Sequence, residues 1–367
     1  MEFLVIKERL LGIFLAIPFL NQVIELVISV FIRKQGFSAS VRNFKSQLIN
    51  RPNLNKEKFI KSSNFHWLIQ ISAPSGMESK NWGDTYFANE LAESLRNLNQ
   101  DVEVIYRDED PALFLKSNTI LLNLRGILPL PIFPNVLNII WVISHPNQLT
   151  KTELKKYEMV FAASEIWADQ KSKKWKVCIK PLLQATNPRK FNTKESNAAI
   201  YDRILFVGNT RGVLRKSVKT ISQSSREFLI IGKGWEKFIP NKNILKEFIN
   251  NSELSSEYRK SKFVLSDHWS DMAKNGFIAN RIFDAAASGA RVISDYVPGS
   301  KKIFGSSLLE FQTQKELSKL IDEDLESRFG KQSVLDENAK MIQDQHSFDK
   351  RAEVLLNSVR NFISQLP

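Results

Sequence analysis

The sequence predicts an α/β protein. Two Rossmann-like halves face each other across a cleft, preceded by a greasy, basic helical segment. Three observations carry that expectation. After Lys61, short apolar runs alternate with helical patterns, which marks parallel strands joined by crossover helices. The alternation breaks at a polar, strand-poor stretch, 185–202, and then restarts. The chain has 367 residues, enough for about two domains with cores of their own.

Composition narrows the class. The chain is 43% hydrophobic and 25% charged, with no short repeat, as in an ordinary globular protein. Its one cysteine, Cys178, excludes an intramolecular disulfide and any CxxC motif, and suits a reducing compartment. The four histidines, His66, His145, His268 and His346, are too scattered for a His-rich metal site. A net charge of +13 favours anionic partners, either a membrane surface or a phosphorylated substrate. Nucleic acid is not expected, because no RNP-like, zinc-finger or basic-zipper signature is present.

The first element, 1–62, contains "LVIKERLLGIFLAIPFLNQVIELVISVFIRK". Its longest uncharged apolar run, Leu10 to Leu20, is eleven residues, short of the roughly 20 a spanning helix needs. Pro18, Asn21, Gln22 and Glu25 interrupt the greasy segment, and no small-residue cleavage site marks a secretory signal. Ten Lys/Arg stand against four Glu in this element. The pattern suggests a monotopic or re-entrant anchor whose basic collar meets anionic head groups. A helical hairpin packed on the body or on a second copy is the alternative.

The next element, 63–190, has strand candidates at 67–71, 102–106, 119–123, 138–144 and 159–164. Between the first two, "GDTYFANELAESLRNL" spaces Phe87, Leu91 and Leu95 four apart, one apolar helix stripe, with Asp84 as a plausible N-cap. A second set of strands, at 203–208, 227–232, 263–266 and 290–294, belongs to 191–345. A closing segment, 346–367, holds a last helix from Phe348 to Ile363. Two such sheets would bind a ligand between their carboxyl ends.

Several residues are chemically suited to that cleft. In "FVGNTRGVLRKSV", Gly208 and Gly212 permit close backbone approach. Asn209, Arg211, Arg215 and Lys216 surround a helix start, a pattern that suits a diphosphate or simply a solvated basic helix. In "IIGKGWEKF", Gly232 and Gly234 flank exposed amides, with Trp235 as a flat wall for a base or as a packed core ring. Asn280, Arg281 and Asp284 share one helix face. The carboxylate suits a vicinal diol such as a ribose, and an Arg–Asp helix pair is the plainer alternative. His145 in "WVISHPNQL" and Asp84 are the two candidate general bases.

The stretch "SKFVLSDHWSDMAKNGFIANRIFDAAASGARVISD" resembles the C-terminal half of bacterial glycosyltransferases with the GT-B fold. It looks most like the group called glycosyltransferase-group-1-like or spore-maturation-like. Asn275, Gly276, Phe277, Asn280, Arg281, Phe283, Asp284, Ala285 and Gly289 fit that group's core pattern. "WGDTYFANELAESL", "WVISHP", "PLLQATNPRKF" and "HSFDKRAEVLL" occur in family order. The resemblance implies an acceptor domain followed by a nucleotide-sugar domain. Arg211 and Lys216 would meet the diphosphate and Asp284 the ribose, with Gly276 and Phe277 beside the donor. Related retaining enzymes carry a second acid where this chain has Gly276. The expected transfer uses no metal or other cofactor. The expected acceptor is a cell-surface glycan or glycolipid, met at the cytoplasmic face of the membrane. A catalytically silent sugar-nucleotide-binding scaffold and a nucleotide-sugar epimerase are the competing readings.

Overall fold

The computed structural model describes Phe59, residues 64–194 and residues 199–366. The expected membrane segment falls outside these residues except at Phe59, which packs into the first core. Among the described residues, no helix is long and apolar enough to cross a membrane.

The first half is a six-stranded parallel sheet. Its strands are β1 (His66–Gln70), β2 (Asp101–Ile105), β3 (Thr119–Arg125), β4 (Leu137–Val142), β5 (Met159–Ala162) and β6 (Ile179–Pro181), in the order β2-β1-β3-β4-β5-β6. Strands β1, β3 and β4 are buried along their whole length, as expected of strands covered on both faces. The helices are α1 (Gly83–Asn97), α2 (Lys151–Leu154) and α3 (Glu165–Trp175). Phe87, Ala88, Leu91, Ala92 and Leu95 of α1 are buried against the sheet. Trp82, not Asp84, is the N-cap. It is still extended (φ −107°, ψ 126°), and its carbonyl accepts the first turn's bond from Thr85 N at 3.2 Å. Asp84 is therefore the second helical residue.

The second half repeats the plan with β7 (Tyr201–Val207), β8 (Phe228–Ile231), β9 (Ile244–Lys246), β10 (Ser261–Ser266), β11 (Val292–Asp295) and β12 (Leu308–Phe311). All pair in parallel, in the order β12-β11-β10-β7-β8-β9. Its helices are α4 (Lys216–Ser222), α5 (Asn251–Lys260), α6 (Ser270–Lys274), α7 (Asn280–Ala287), α8 (Ser300–Phe304), α9 (Gln314–Asp322) and α10 (Gln332–Gln345). Strand order reverses between β1 and β3 in one sheet and between β7 and β10 in the other. Crevices open at such switch points. The strands β6, β9 and β12, which the sequence patterns do not reveal, are three- or four-residue edge strands. Runs that short show no readable alternation.

The final helix, α11 (Phe348–Ser364), packs on α1 of the first half, with Phe348 and Phe87 edge to face at 4.8 Å. The polar stretch 185–202 is not simply a linker. Ala185, Thr186 and Asn187 are buried, and Tyr201 and Asp202 already belong to β7. Thr186 lies beside the return crossing: its N–H donates to His346 O (2.9 Å), and its carbonyl accepts from Phe348 N (3.0 Å). Arg351 ties both crossings together, donating to Leu183 O (2.7 Å), Gln184 O (3.0 Å) and Gln345 O (3.2 Å).

Candidate active site

The second half's switch point lies where β7 and β10 end. Gly208 and Gly232 bring two backbones into contact there. A Cβ on Gly232 would stand 2.2 Å from Gly208 O, and one on Gly208 would stand 2.8 Å from Arg281 Nη1. Trp235 is no wall for a ligand. It is fully buried, packs on Phe206 at 5.5 Å and donates to Gly208 O at 2.7 Å. Gly234 faces Thr210, whose Oγ1 would meet a Cβ there at 2.7 Å.

Three guanidinium groups converge on this point. Arg215 pairs with Asp267, its Nε donating to Oδ2 at 3.1 Å, and lies over Trp269 at 5.1 Å. Arg281 donates to the Val207 carbonyl at 2.8 Å. Among the described residues no carboxylate comes within ion-pair distance of it. Burial pushes its pKa down to about 10, and Arg215 pushes the same way. The group is still a cation at neutral pH. Arg211 stands at the mouth in left-handed backbone, φ 54°. Arg215 takes Asp267 and Asp84 acts on Arg211, which leaves Arg281 without a carboxylate partner of its own. Desolvating such an unpaired charge is costly unless an anion compensates it.

Helix α7 supplies the other wall. Its N-cap, Ala279, donates its N–H to His268 Nε2 at 2.8 Å, while His268 Nδ1 bonds Asp295 Oδ1 at 2.6 Å. These two bonds assign the neutral imidazole with its proton on Nδ1. Asp284 is 7% exposed and accepts from Thr186 Oγ1 (2.8 Å) and Asn280 Nδ2 (2.9 Å). Burial pushes its pKa up to about 8, and Glu90 adds to the rise, while the Thr186 and Asn280 bonds oppose it. Asn280 Oδ1 is buried with no partner. The Arg281–Asp284 helix pair does not form, because Arg281 turns to Val207 instead.

The first half presents Asp84 and His145. Asp84 lies at the β1–β3 switch point, where a Cβ on Gly126 would stand 2.8 Å from Asp84 Oδ2 and 3.4 Å from Ser72 Oγ. Burial raises the Asp84 pKa, and the nearby Arg211 opposes the rise. His145 follows β4 in left-handed backbone (φ 52°), with Nδ1 2.8 Å from Ser144 Oγ. Burial lowers its pKa to about 4 against the pull of Asp271, with Arg211 and Arg125 acting the same way as burial. The imidazole is neutral at pH 7. Asn209 reaches across the cleft to Asn81 O at 3.4 Å.

A cavity of about 370 Å³ brings Asp84, His145, Gly208, Asn209, Arg211, Arg215, Gly232, Asn280, Arg281 and Asp284 together. Four anticipated donor residues are not on its wall, and one of them, Gly234, lines a second cavity beside Thr210 instead. Lys216 is exposed at the start of α4. Gly276 and Phe277 join the two halves instead. A Cβ on Gly276 would meet Ser164 Oγ at 2.9 Å, Ser164 donates to Asn275 O at 2.6 Å, and Phe277 is buried on Trp167 at 5.7 Å. Sequence reasoning missed Glu90, Thr186, Asp267 and the His268–Asp295 pair. Asp267 and His268 were findable as polar residues just after a strand. Glu90 and Thr186 carried no such signal.

Two doubly wound halves facing across a cleft make up a GT-B fold. Residues 211–357 match the glycosyl transferase-like family model. Sucrose-phosphate synthase from Thermosynechococcus elongatus superposes with a TM-score of 0.60 at 12% identity, over 82% of this chain and 99% of that one. Anabaena HepE, solved with UDP-glucose, gives 0.54 at 9% identity over 80% and 99%. An α-glucosyltransferase solved with UDP and a DNA 13-mer gives 0.55 at 12% over 83% and 100%. No curated protein matches the chain by sequence.

Proposed function

We propose that the protein transfers a sugar from a nucleoside diphosphate sugar, a UDP-sugar first of all, to an acceptor hydroxyl on a cell-surface glycan or glycolipid. The observation that carries this reading is the half-buried Arg281, which no carboxylate pairs, beside Arg215 and Arg211. A diphosphate supplies the missing negative charge there. The Asn280–Asp284 pair, with its unpartnered Asn280 Oδ1, suits the ribose hydroxyls. HepE was solved with UDP-glucose and the α-glucosyltransferase with UDP and a DNA 13-mer, which supports a uridine nucleotide as the donor.

The reaction is direct displacement. Asp84 takes the proton of the acceptor hydroxyl, the acceptor oxygen bonds the anomeric carbon, and the bond from that carbon to the diphosphate breaks. The leaving group carries the new negative charge, which the arginines stabilise without a metal ion. Burial raises the Asp84 pKa, which makes it a better base than an ordinary carboxylate. Neutral His145 hydrogen-bonds the acceptor. The anomeric configuration inverts. The protein acts at the cytoplasmic face of the membrane, held there by the basic segment 1–62.

Thermal shift with UDP, GDP, CDP, TDP and ADP tests the donor. A shift with UDP that Arg281→Met abolishes is the expected result; no shift with any nucleotide overturns the reading. Turnover unchanged in EDTA supports the metal-free step, and NMR of the product anomer tests inversion. Loss of anionic-vesicle binding on deleting 1–60 tests the localisation.

A further inference from the structure

We propose that a second cavity, about 440 Å³ and contiguous with the first, receives the acceptor as a carbohydrate ring laid against Trp82. The inference rests on the transferase reading above and narrows its acceptor. The two cavities share Trp82, Asp84, His145 and Arg211. Trp82 is a held ring. It caps α1, packs on the first core, and carries the Arg107 guanidinium 5.4 Å from its centroid. Trp82 and Ile127 are the apolar side chains of this cavity, and the rest of the rim is polar, with Ser144, Thr210 and Lys233 among its members.

That combination selects a chemical class. An alkyl or prenyl chain would strip water from hydroxyl, amide and charged groups and return no hydrogen bonds. A pyranose has a C–H face for the indole and a rim of hydroxyls for the polar groups, which suits a site of one aromatic plate and a few placed polar atoms. Position agrees with chemistry. Asn81, the residue before Trp82, meets Asn209 of the second half across the cleft, and Asp84 is two residues beyond Trp82. A ring on Trp82 therefore holds a hydroxyl beside Asp84 and the donor's diphosphate site.

The test is saturation-transfer NMR on the full chain with UDP present. The probes are methyl glucoside, galactoside, mannoside, rhamnoside and N-acetylglucosaminide, with octanol and farnesyl phosphate as the apolar comparison. At least one pyranoside is expected to receive saturation on its ring C–H protons. The signal should fall about tenfold in Trp82→Ala and largely return in Trp82→Phe. The UDP thermal shift should persist in both variants. The proposal is overturned by a pyranoside signal that Trp82→Ala leaves unchanged, by binding of the apolar probes alone, or by no pyranoside binding. If Trp82→Ala does not fold, Trp82→His is read in the same way. A wild type that UDP does not stabilise overturns the donor reading instead, which keeps the two failures apart.

Discussion

At its switch point the first sheet presents Asp84 and His145, whose ionised forms burial disfavours; at the corresponding place the second sheet presents the Arg215–Asp267 ion pair and Arg281, which stays charged at a pKa of about 10. The halves share strand direction and layering, so the backbone does not make this difference. It lies in which side chains come after the strands and in what pairs them. A desolvated carboxyl keeps its proton and a desolvated imidazole gives its proton up, so both shed charge. A guanidinium at pKa about 10 does not, so burial leaves its field intact and strengthens it. On the proposed reading one half moves a proton and the other holds charge.

The sharpest way to break this comparison is to silence the first half. Asp84→Asn is expected to lower kcat by about 10²–10⁴-fold with donor binding intact, while His145→Ala costs only about tenfold. Steady-state kinetics with a UDP thermal shift measure both, and a larger loss in His145→Ala would reverse the roles. Next comes the second half's charge. Arg281→Met should lower kcat/KM by about 10²–10³-fold, yet leave the unliganded protein as stable as wild type or more so. A marked fall in melting temperature without ligand would make Arg281 structural.

The join between the halves ranks third. Phe277→Ala should cost about 3 kcal/mol of stability, read by urea unfolding, because the ring is fully buried on Trp167. A specific loss of donor affinity with unchanged stability would return Phe277 to the donor site.

Last comes the pH dependence, which has opposite signs for the lowered imidazoles and the raised carboxyls. His145 has a folded pKa of about 4 against 6.5 unfolded, so its contribution is lost as pH falls from 6.5 to 4. His346, also lowered to about 4, acts in the same window. Asp284 has a folded pKa of about 8 against 3.8 unfolded, so stability is lost as pH rises between those values. Asp284→Asn should therefore flatten the alkaline decline by up to about 4 kcal/mol between pH 5 and pH 9, measured by denaturant midpoints. An unchanged alkaline slope would mean the carboxyl is ionised throughout.

Local pattern by itself determined a good deal of this protein. Apolar runs bounded by turns marked the long strands, because a strand buried on both faces must be apolar throughout. The 3.6-residue spacing of Phe87, Leu91 and Leu95 marked α1. Glycines and arginines after strands marked β7's end as a ligand site, and Asn280–Ala287 read as a helix from its own residues. Tertiary structure decided what spacing cannot carry. Arg281 turned to the Val207 carbonyl, while Thr186 and Asn280 took the two oxygens of Asp284. Phe277 went to the join between the halves and Trp235 to the core, because each ring had a large apolar partner that only folding supplied. Glu90 and Thr186 entered the site because a buried crossing and a helix from the other half met around Asp284. A sequence displays what each residue is and how far apart residues lie along the chain. Charge compensation and burial depend on distances through space, and those exist only once both halves and both crossings are assembled.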